Sequence, residues 1–290
     1  MRPLRFLAFE LLVRGLGFVA LGTLALAYLY AAAMGLGGGD LLRIPQALVS
    51  LASGSTPVSR PGFSSAQLVG SAAGTTLPLA YAAMTLLALT AVVAASIRAV
   101  SSSLARQEGR GRGRAPAAVV LFILALGASL PLFLCLWLLS LHYGSDAPYL
   151  LIAAVTVLAG GCAFDAARFL EKEMDRELRG CEGLVSLPWG AGLVFPAPGT
   201  LSGYAMIAVL PRFLTYLAGK VPMVIGGVMV SEIIFSFPGL GSTLMDALLA
   251  RDLETLVVSL FVLLSINAVV AFSLRLLLFI SYPRWYEKRA

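Results

Sequence analysis

The chain has 290 residues, of which 59% are hydrophobic and only 12% are charged, and its formal net charge is +6. A soluble domain averages about 25% charged residues, so this composition excludes an ordinary soluble protein and indicates an integral membrane protein. The single histidine and the three cysteines have no metal-binding spacing, and no Walker A motif is present. We therefore predict no catalytic residue, no metal site and no bound cofactor, which argues against a membrane enzyme.

Six stretches are long and apolar enough to cross a bilayer, since a transmembrane helix needs about 20 such residues. They cover approximately 15–34, 76–97, 117–141, 148–165, 205–231 and 255–280. The sequence therefore predicts an all-α integral membrane protein with six transmembrane helices in a single domain, 1–290. The first stretch is longer than the apolar core of a signal peptide and no clear cleavage site follows it, which favours a span. A secondary transporter would show repeated halves, and none are visible.

The distribution of basic residues predicts the orientation of these helices. With both termini in the cytoplasm, the inner segments hold 15 Lys and Arg residues, whereas the outer segments hold Arg43, Arg60 and Arg251. This asymmetry follows the positive-inside rule. The predicted outer loops are 35–75, 142–147 and 232–254, and the predicted inner loop before the fifth span is 166–204. Because topology accounts for the basic excess and no nucleic-acid motif accompanies it, we predict no nucleic-acid partner.

The polar, glycine-rich segment 231–252 lies between the last two apolar stretches. Pro238 is expected to end the preceding helix, because its ring clashes and it lacks an N–H. Gly239 and Gly241 permit backbone angles and close approaches that a Cβ forbids, and Ser242 is expected to cap a short helix from Thr243 to about Ala250. The pattern predicts a helix–break–helix hairpin over the outer mouth of the bundle. A generic interfacial turn is the alternative.

The acidic and aromatic residues of this segment are expected near the membrane surface. Glu232 follows a predicted span directly, where an ionised carboxylate belongs at the interface rather than in hydrocarbon. Phe235 and Phe237 are predicted to anchor the turn in the same interfacial zone, and Asp246 is expected to be solvated.

The same segment resembles a signature of the permease subunits of bacterial peptide and nickel importers powered by ATP-binding cassettes, close to E-x-x-F-S-x-P-G-L-G-x-L-L-x-D-A-I-x-x-R-D. The matching residues are Glu232, Phe235, Ser236, Pro238, Gly239, Leu240, Gly241, Leu244, Asp246, Ala247, Arg251 and Asp252. Weaker agreements include Thr76-Leu77 and Gly226-Gly227. The resemblance implies the MetI-like fold of type I importer permeases in the bacterial cytoplasmic (inner) membrane. It also implies that the hairpin is an exterior gate and a contact for a binding protein.

The resemblance implies a set of partners as well. A second permease subunit would complete the pathway, as a homodimer or a heterodimer, within the lipid bilayer. Two cytoplasmic ABC ATPase subunits would use ATP and Mg²⁺, and an extracytoplasmic solute-binding protein would deliver peptides or similar small solutes.

Permeases of this type contact their ATPases through an inner loop with a motif of the form T-A-R-A-K-G-L. The closest run here is E-L-R-G-C-E-G-L, over 177–184, which keeps the Gly-Leu but has lost the alanines. The candidate coupling residues are Arg179, Glu182, Gly183 and Leu184, with Gly192 as an alternative register. This departure leaves open a permease-derived scaffold or regulatory subunit with lost or altered ATPase coupling.

Three basic residues fall within predicted spans, where charge must be paired, hydrated or extended to the interface. Arg212 is expected to reach the inner surface. Lys220 lies about 18 Å before Glu232 along the helix and is a candidate for the translocation pathway, with a pocket between helices as the alternative. Arg275 is predicted to form a structural ion pair with Asp165.

Overall fold

The computed structural model of the chain describes residues 17–33, 43–46, 49, 58–60, 63–108, 115–180 and 201–281. Its α-helices are α1 (Gly17–Ala33), α2 (Ser65–Glu108), α3 (Ala115–Ser129), α4 (Leu132–Tyr143), α5 (Tyr149–Leu158), α6 (Cys162–Gly180), α7 (Leu201–Phe235), α8 (Leu240–Ala250) and α9 (Leu253–Ser281). A 3-10 turn, Gly144–Asp146, follows α4. Two short antiparallel strands, β1 (Val58–Arg60) and β2 (Phe63–Ser64), precede α2. The predicted all-α architecture is confirmed for the described residues, apart from these two short strands.

Helix α2 lies at the centre of the bundle and packs against α3 and each of α5 to α9. Its buried face is rich in alanine, including Ala80, Ala83 and Ala91. Small side chains let neighbouring helix backbones approach closely, which is how helices associate where lipid removes the hydrophobic drive between them. α2 begins at Ser65, inside the segment predicted as an outer loop, and it continues beyond the predicted span 76–97 to Glu108.

Two of the predicted spans are broken helices. The stretch 117–141 divides into α3 and α4, which meet at 89°, and 148–165 divides into α5 and α6, which meet at 62°. The first break precedes Pro131, which lacks an N–H and disfavours helical geometry in the residue before it. At the second break Gly160 and Gly161 have φ angles of +86° and +83°, a conformation that glycine adopts without strain.

Three helices of the described residues are long and apolar enough to cross a membrane: Gln67–Ile97 in α2, Ala205–Phe235 in α7 and Leu253–Ile280 in α9. The number rises to five if each bent pair forms one span. The apolar part of α1, Val19–Tyr30, is shorter than a span requires. The structure therefore supports a multi-pass helical membrane protein, whereas the prediction of six transmembrane helices and of their orientation is not confirmed.

The predicted inner loop 166–204 begins as a regular helix. α6 runs to Gly180 with its apolar residues buried, among them Ala163, Ala166 and Leu170, and with Arg168 and Lys172 exposed. Arg179 lies on this helix, and its side chain is outside the described part of the chain. Residues 181–200 are also outside it, including the predicted coupling residues Glu182, Gly183, Leu184 and Gly192.

Candidate functional site

The turn between α7 and α8 is shorter and tighter than the sequence indicates. α7 ends at Phe235, Ser236 takes a left-handed φ of 53°, and the Phe237 N–H donates to the Glu232 carbonyl oxygen over 2.9 Å. α8 begins at Leu240 with Gly239 as its N-cap, so the prediction that Ser242 caps a helix starting at Thr243 is wrong. Ser242 lies inside the first turn. Its Oγ accepts a hydrogen bond from Gly239 N at 3.1 Å and lies 2.7 Å from the Phe237 carbonyl oxygen, to which it can donate.

Glu232 is a residue of α7 and its side chain is fully buried. The carboxylate was expected at the membrane interface, and the structure shows it enclosed by protein. Its Oε2 accepts a hydrogen bond of 2.7 Å from the Gly241 N–H in the first turn of α8. Its Oε1 is buried and has no hydrogen bond of regular geometry to the described residues, although the Thr76 hydroxyl lies close to the same carboxyl group. The carboxyl group thus fixes the start of α8 to α7.

Gly239 and Gly241 are required by close packing. A Cβ on Gly239 would overlap the carboxyl group of Glu232. A Cβ on Gly241 would lie 2.6 Å from the Met229 carbonyl oxygen and 3.0 Å from Glu232 Oε2. The predicted close approach is therefore present, but the backbone angles of Gly239 are ordinary extended ones, with φ −107° and ψ 179°. Glycine is needed here for its lack of a side chain.

Thr76 of α2 forms the third side of this arrangement. Its Oγ1 accepts a hydrogen bond of 2.9 Å from the Leu240 N–H, and its side chain is fully buried. Two of the otherwise unpaired N–H groups at the start of α8 therefore have partners, one on α2 and one on α7. The sequence signal for Thr76 was weak, because a threonine near the start of an apolar helix usually bonds within its own helix.

The aromatic residues of the turn are buried. Phe235 and Phe237 are 4% and 8% exposed, and their ring centroids lie 5.7 Å apart. Tyr149, at the start of α5, stacks on Phe237 with a centroid distance of 5.2 Å. The predicted interfacial anchoring of the two phenylalanines is thus replaced by packing in the core, which holds the turn against α5.

The far end of α8 is also fixed. Arg251 has a left-handed φ of 57° and ends the helix, and the Asp252 N–H donates to the Ala247 carbonyl oxygen over 3.0 Å. The Asp252 carboxylate then accepts hydrogen bonds from Thr255, at 2.6 Å from its hydroxyl, and caps α9. The Tyr30 hydroxyl of α1 donates to the Leu248 carbonyl oxygen over 3.1 Å.

One side of α8 remains exposed. Asp246 and Arg251 are exposed there, as are the apolar side chains of Met245 and Leu249. Next to them a cavity of about 400 Å³ opens between α2, α8 and α9. Its lining residues are Leu68, Ser71, Ala72, Pro238, Thr243, Asp246, Ala247, Ala250, Asp252 and Thr255. The hairpin therefore combines a fixed inner side with an accessible outer side.

Two of the three basic residues within the predicted spans, Lys220 and Arg212, form ion pairs with α6. Lys220 Nζ lies 2.9 Å from Asp165 Oδ2, so the structure pairs Asp165 with Lys220 instead of with Arg275. Arg275 lies on α9 with an exposed side chain, whereas α6 packs chiefly against α2 and α7. Lys220 is half-buried between α6 and α7, as in the predicted alternative of a pocket between helices, and its partner there is a carboxylate. Its place on the translocation pathway stays a prediction.

Arg212 is also paired rather than simply extended to the surface. Its Nη1 lies 2.9 Å from Glu173 Oε2 and 2.7 Å from Glu177 Oε1. The two glutamates lie four residues apart on α6 and therefore share one face of that helix. Sequence inspection missed this pairing because Arg212 is 39 residues from Glu173 and 35 from Glu177, and no local pattern relates residues that far apart.

The arrangement holds the hairpin in a defined position and presents its outer side. Within the described ranges, no group of three or more His, Cys, Asp or Glu side chains is placed to hold a metal ion. Glu232, Gly239 and Gly241 come together with Thr76. Lys220 lies about 18 Å nearer the start of α7, where it forms a separate pair with Asp165 of α6.

Residues 195–285 match the sequence profile of a family described as "Binding-protein-dependent transport system inner membrane component". The match contains α7, α8 and α9, and so it includes Glu232 and the whole hairpin. No curated protein matches the chain. The family match, together with the apolar helices, supports a membrane-embedded permease component of binding-protein-dependent transport, a class of transport proteins rather than of enzymes.

Proposed function

We propose that this chain is the transmembrane permease subunit of an ABC importer, which moves peptides or similar small solutes across the bacterial cytoplasmic membrane by ATP-driven alternating access. The observation that carries the proposal is the fixed hairpin. The Glu232 carboxyl group, buried in α7, binds the first turn of α8, and Gly239 and Gly241 leave space for no side chain. The family match covers the same residues.

The hairpin is suited to act as an outer gate and as a docking surface. α8 is attached to α7, α2 and α1, so its exposed side is held in a defined position. Exposed Asp246 and Arg251 beside apolar Met245 and Leu249 give the mixture of charged rim and apolar contact typical of a transient protein interface. We assign this side to contact with an extracytoplasmic solute-binding protein.

α7 connects the hairpin to the opposite end of the molecule. It runs without a break for 35 residues, from Leu201 to Phe235, a length of about 52 Å at 1.5 Å per residue. The segment 166–204 ends in the first turn of α7. We propose that this segment forms the contact with the two cytoplasmic ATPase subunits. The ATP and Mg²⁺ would be used by those subunits.

A permease of this kind needs a second subunit and a lipid surface. α3 and α4 expose large apolar side chains, among them Phe122, Ile123, Phe133 and Trp137. Exposed apolar surface of this extent is expected of helices that face lipid or another transmembrane subunit. We propose that a second permease chain, identical or similar, completes the pathway.

The alternative is a permease-derived scaffold or regulatory subunit with lost or altered ATPase coupling. The sequence observation that favours it is the run 177–184, in which the alanines of the family motif are absent and Glu182 replaces a basic residue. Both functions use the same hairpin, so contact with an ATPase distinguishes them.

The test is a pull-down of the tagged full chain from membranes, followed by uptake measurements in proteoliposomes. The wild-type chain is expected to recover cassette ATPases, and a variant lacking 180–192 is expected to lose them. The matched control lacks 109–114, the Gly-Arg segment of another predicted inner loop, and should recover the ATPases. Peptide uptake that depends on both ATP and a binding protein completes the test.

Each outcome separates the two functions. A wild-type chain that recovers no ATPase contradicts the importer function. Recovery of ATPases without any ATP-dependent uptake by the purified complex supports the regulatory alternative.

A further inference from the structure

The contacts between α6 and α7 repeat at a constant spacing. Asp165 pairs with Lys220 at 2.9 Å, and Glu173 pairs with Arg212 at 2.9 Å. Between these two ion pairs, Phe169 stacks on Tyr216 with ring centroids 4.2 Å apart and an interplanar angle of 9°. We refer to Asp165–Lys220, Phe169–Tyr216 and Glu173–Arg212 as the α6–α7 ladder.

The ladder has a single register. Each step of four residues forward along α6 is matched by a step of four residues back along α7, so the helices are antiparallel and the rungs are about 6 Å apart. Residues four apart share one helix face, which aligns all three rungs on one seam. A slip of one turn in one direction would place Lys220 opposite Phe169 and Tyr216 opposite Glu173. The Asp165–Lys220 and Phe169–Tyr216 rungs would then be lost, whereas Arg212 would keep Glu177, with which it already pairs at 2.7 Å.

The charges make such a slip costly. Lys220 lies in the middle of the 31-residue apolar segment Ala205–Phe235, where an unpaired ammonium group is expensive. Its Nζ also lies 5.5 Å from the centroid of the Tyr216 ring, a favourable cation–π contact. Separating α6 from α7 would therefore remove both the carboxylate partner and the aromatic contact of this ammonium group.

The contact of α6 with its other major neighbour is of a different kind. The buried residues through which α6 meets the bundle are apolar, among them Ala163, Ala166 and Ala167, and its most extensive partner is the alanine-rich α2. Such small side chains let two helix backbones approach closely and carry no charge. Among the described contacts of α6, the ion pairs and the ring stack named above lie on its α7 side.

We propose that the α6–α7 ladder makes α6 and α7 move as one body during transport, so that a displacement of α6 is carried along α7 to the hairpin at Glu232. This proposal rests on the function proposed above. Lys220, Asp165, Phe169 and Tyr216 are thereby positioning residues that act through α7.

The first test measures solute taken up per ATP hydrolysed by the complete complex in proteoliposomes. Asp165→Asn and Lys220→Gln are each expected to lower this ratio about fivefold or more, as a coupling energy of the usual size predicts. ATP hydrolysis should continue, because only its link to the pathway is weakened. The exchanged pair, Asp165→Lys with Lys220→Asp, should recover most of the ratio. Thr215→Ala, at an exposed residue of α7 that lies outside the ladder and outside 166–204, is the control and should leave it unchanged.

These outcomes separate coupling from folding. A misfolded complex loses uptake and ATP hydrolysis in parallel, whereas a loosened ladder lowers uptake alone. Single variants with an unchanged ratio overturn the proposal, and so does an exchanged pair that assembles but transports no better than the single variants.

The second test restrains the ladder directly. In a chain with Cys135, Cys162 and Cys181 replaced by serine or alanine, Phe169→Cys and Tyr216→Cys are joined by a short thiol-specific cross-linker. If α6 and α7 move together, transport continues after cross-linking. Transport that stops on cross-linking with a cleavable reagent and returns after its reduction would show that the helices move apart, and would overturn the proposal.

The cross-linking also separates this proposal from the function on which it rests. Reaction of position 169 with 216, but not with a cysteine at 212 or 220, establishes the register in membranes without any ATPase. If the wild-type chain recovers no ATPase, the importer function fails while the register remains measurable.

Discussion

The hairpin holds the C-terminal end of α7 and the α6–α7 ladder holds its middle, by different physical means. At the hairpin, a buried carboxyl group contacts backbone N–H groups, and glycines allow an approach that no other residue permits. In the ladder, half-exposed side chains contact one another across two helices, with 51% of the Asp165 side chain exposed. The backbone of Met229 cannot move aside to admit a side chain at Gly241, whereas paired charges can be exchanged. Adding a single carbon atom should therefore destabilise the hairpin, whereas the stability of the ladder should depend on the charges of its side chains.

The largest expected effect is that of Gly241→Ala. The new Cβ would lie 2.6 Å from the Met229 carbonyl oxygen and 2.8 Å from the Met229 Cα, and these backbone atoms cannot rotate aside as a side chain can. Overpacking of a buried site typically costs about 1–3 kcal/mol. Thermal unfolding in detergent should occur at a clearly lower temperature. Gly226→Ala is the control, because a Cβ there meets nothing within 4 Å. Equal unfolding temperatures for the two variants would contradict the close packing at Gly241.

Replacement of Glu232 should have the next largest effect. Glu232→Leu leaves the buried Gly241 N–H without its acceptor, a loss of about 1–3 kcal/mol of unfolding free energy. Glu232→Gln keeps an acceptor oxygen of the same reach and should lose less. Denaturation of both variants in detergent measures the difference. If glutamine is as destabilising as leucine, the hydrogen bond to Gly241 is not what holds the hairpin.

Changes at Arg212 should be smaller. Arg212→Gln removes the partner of both Glu173 and Glu177, whereas Glu173→Gln or Glu177→Gln leaves one ion pair intact. Because these side chains are partly exposed, the loss from Arg212→Gln should be about 1 kcal/mol or less. The single glutamate variants should each lose a fraction of it, and a series of unfolding curves at increasing salt should bring all variants closer together. A loss of stability as large as that of Gly241→Ala would contradict the expected difference between the ladder and the hairpin.

The smallest effect on stability is expected at Asp246. Its side chain is exposed, so Asp246→Asn should leave the unfolding temperature unchanged. If the proposed docking surface is correct, the variant should associate more slowly with the binding protein, and its association rate should depend less on ionic strength. Surface plasmon resonance over a salt series measures both quantities. Association kinetics identical to those of the wild type would remove Asp246 from the docking surface.

The residues of the hairpin were predictable because their constraints are local. Pro238, Gly239 and Gly241 follow one another closely, and a helix that stops there must turn back through glycine-rich chain. The environment of Glu232 was not predictable in the same way. A carboxylate at the end of an apolar stretch reads as interfacial, and it is buried here because Thr76 of α2 and Gly241 of α8 enclose it.

Two further features could not be predicted from local sequence: the breaks within the spans, and the partners in the ion pairs. Pro131 and the Gly160-Gly161 pair were visible in the sequence, but an apolar stretch with such residues can be a kinked span or two separate helices. The partner of Asp165 depends on the register between α6 and α7. The similar predicted depth of Arg275 and Asp165 in the membrane suggested that they pair. The partner is Lys220, because α7 and not α9 packs beside α6.

The sequence by itself determined that this is a multi-pass helical membrane protein with a glycine-rich hairpin between its last two long helices, because hydropathy, proline and glycine act on their immediate neighbours. Only the tertiary structure decided which carboxyl group meets which N–H, and which cation meets which acid. Those contacts join residues 9 to 164 positions apart, and the order of helices around α2, which no local pattern records, brings them together.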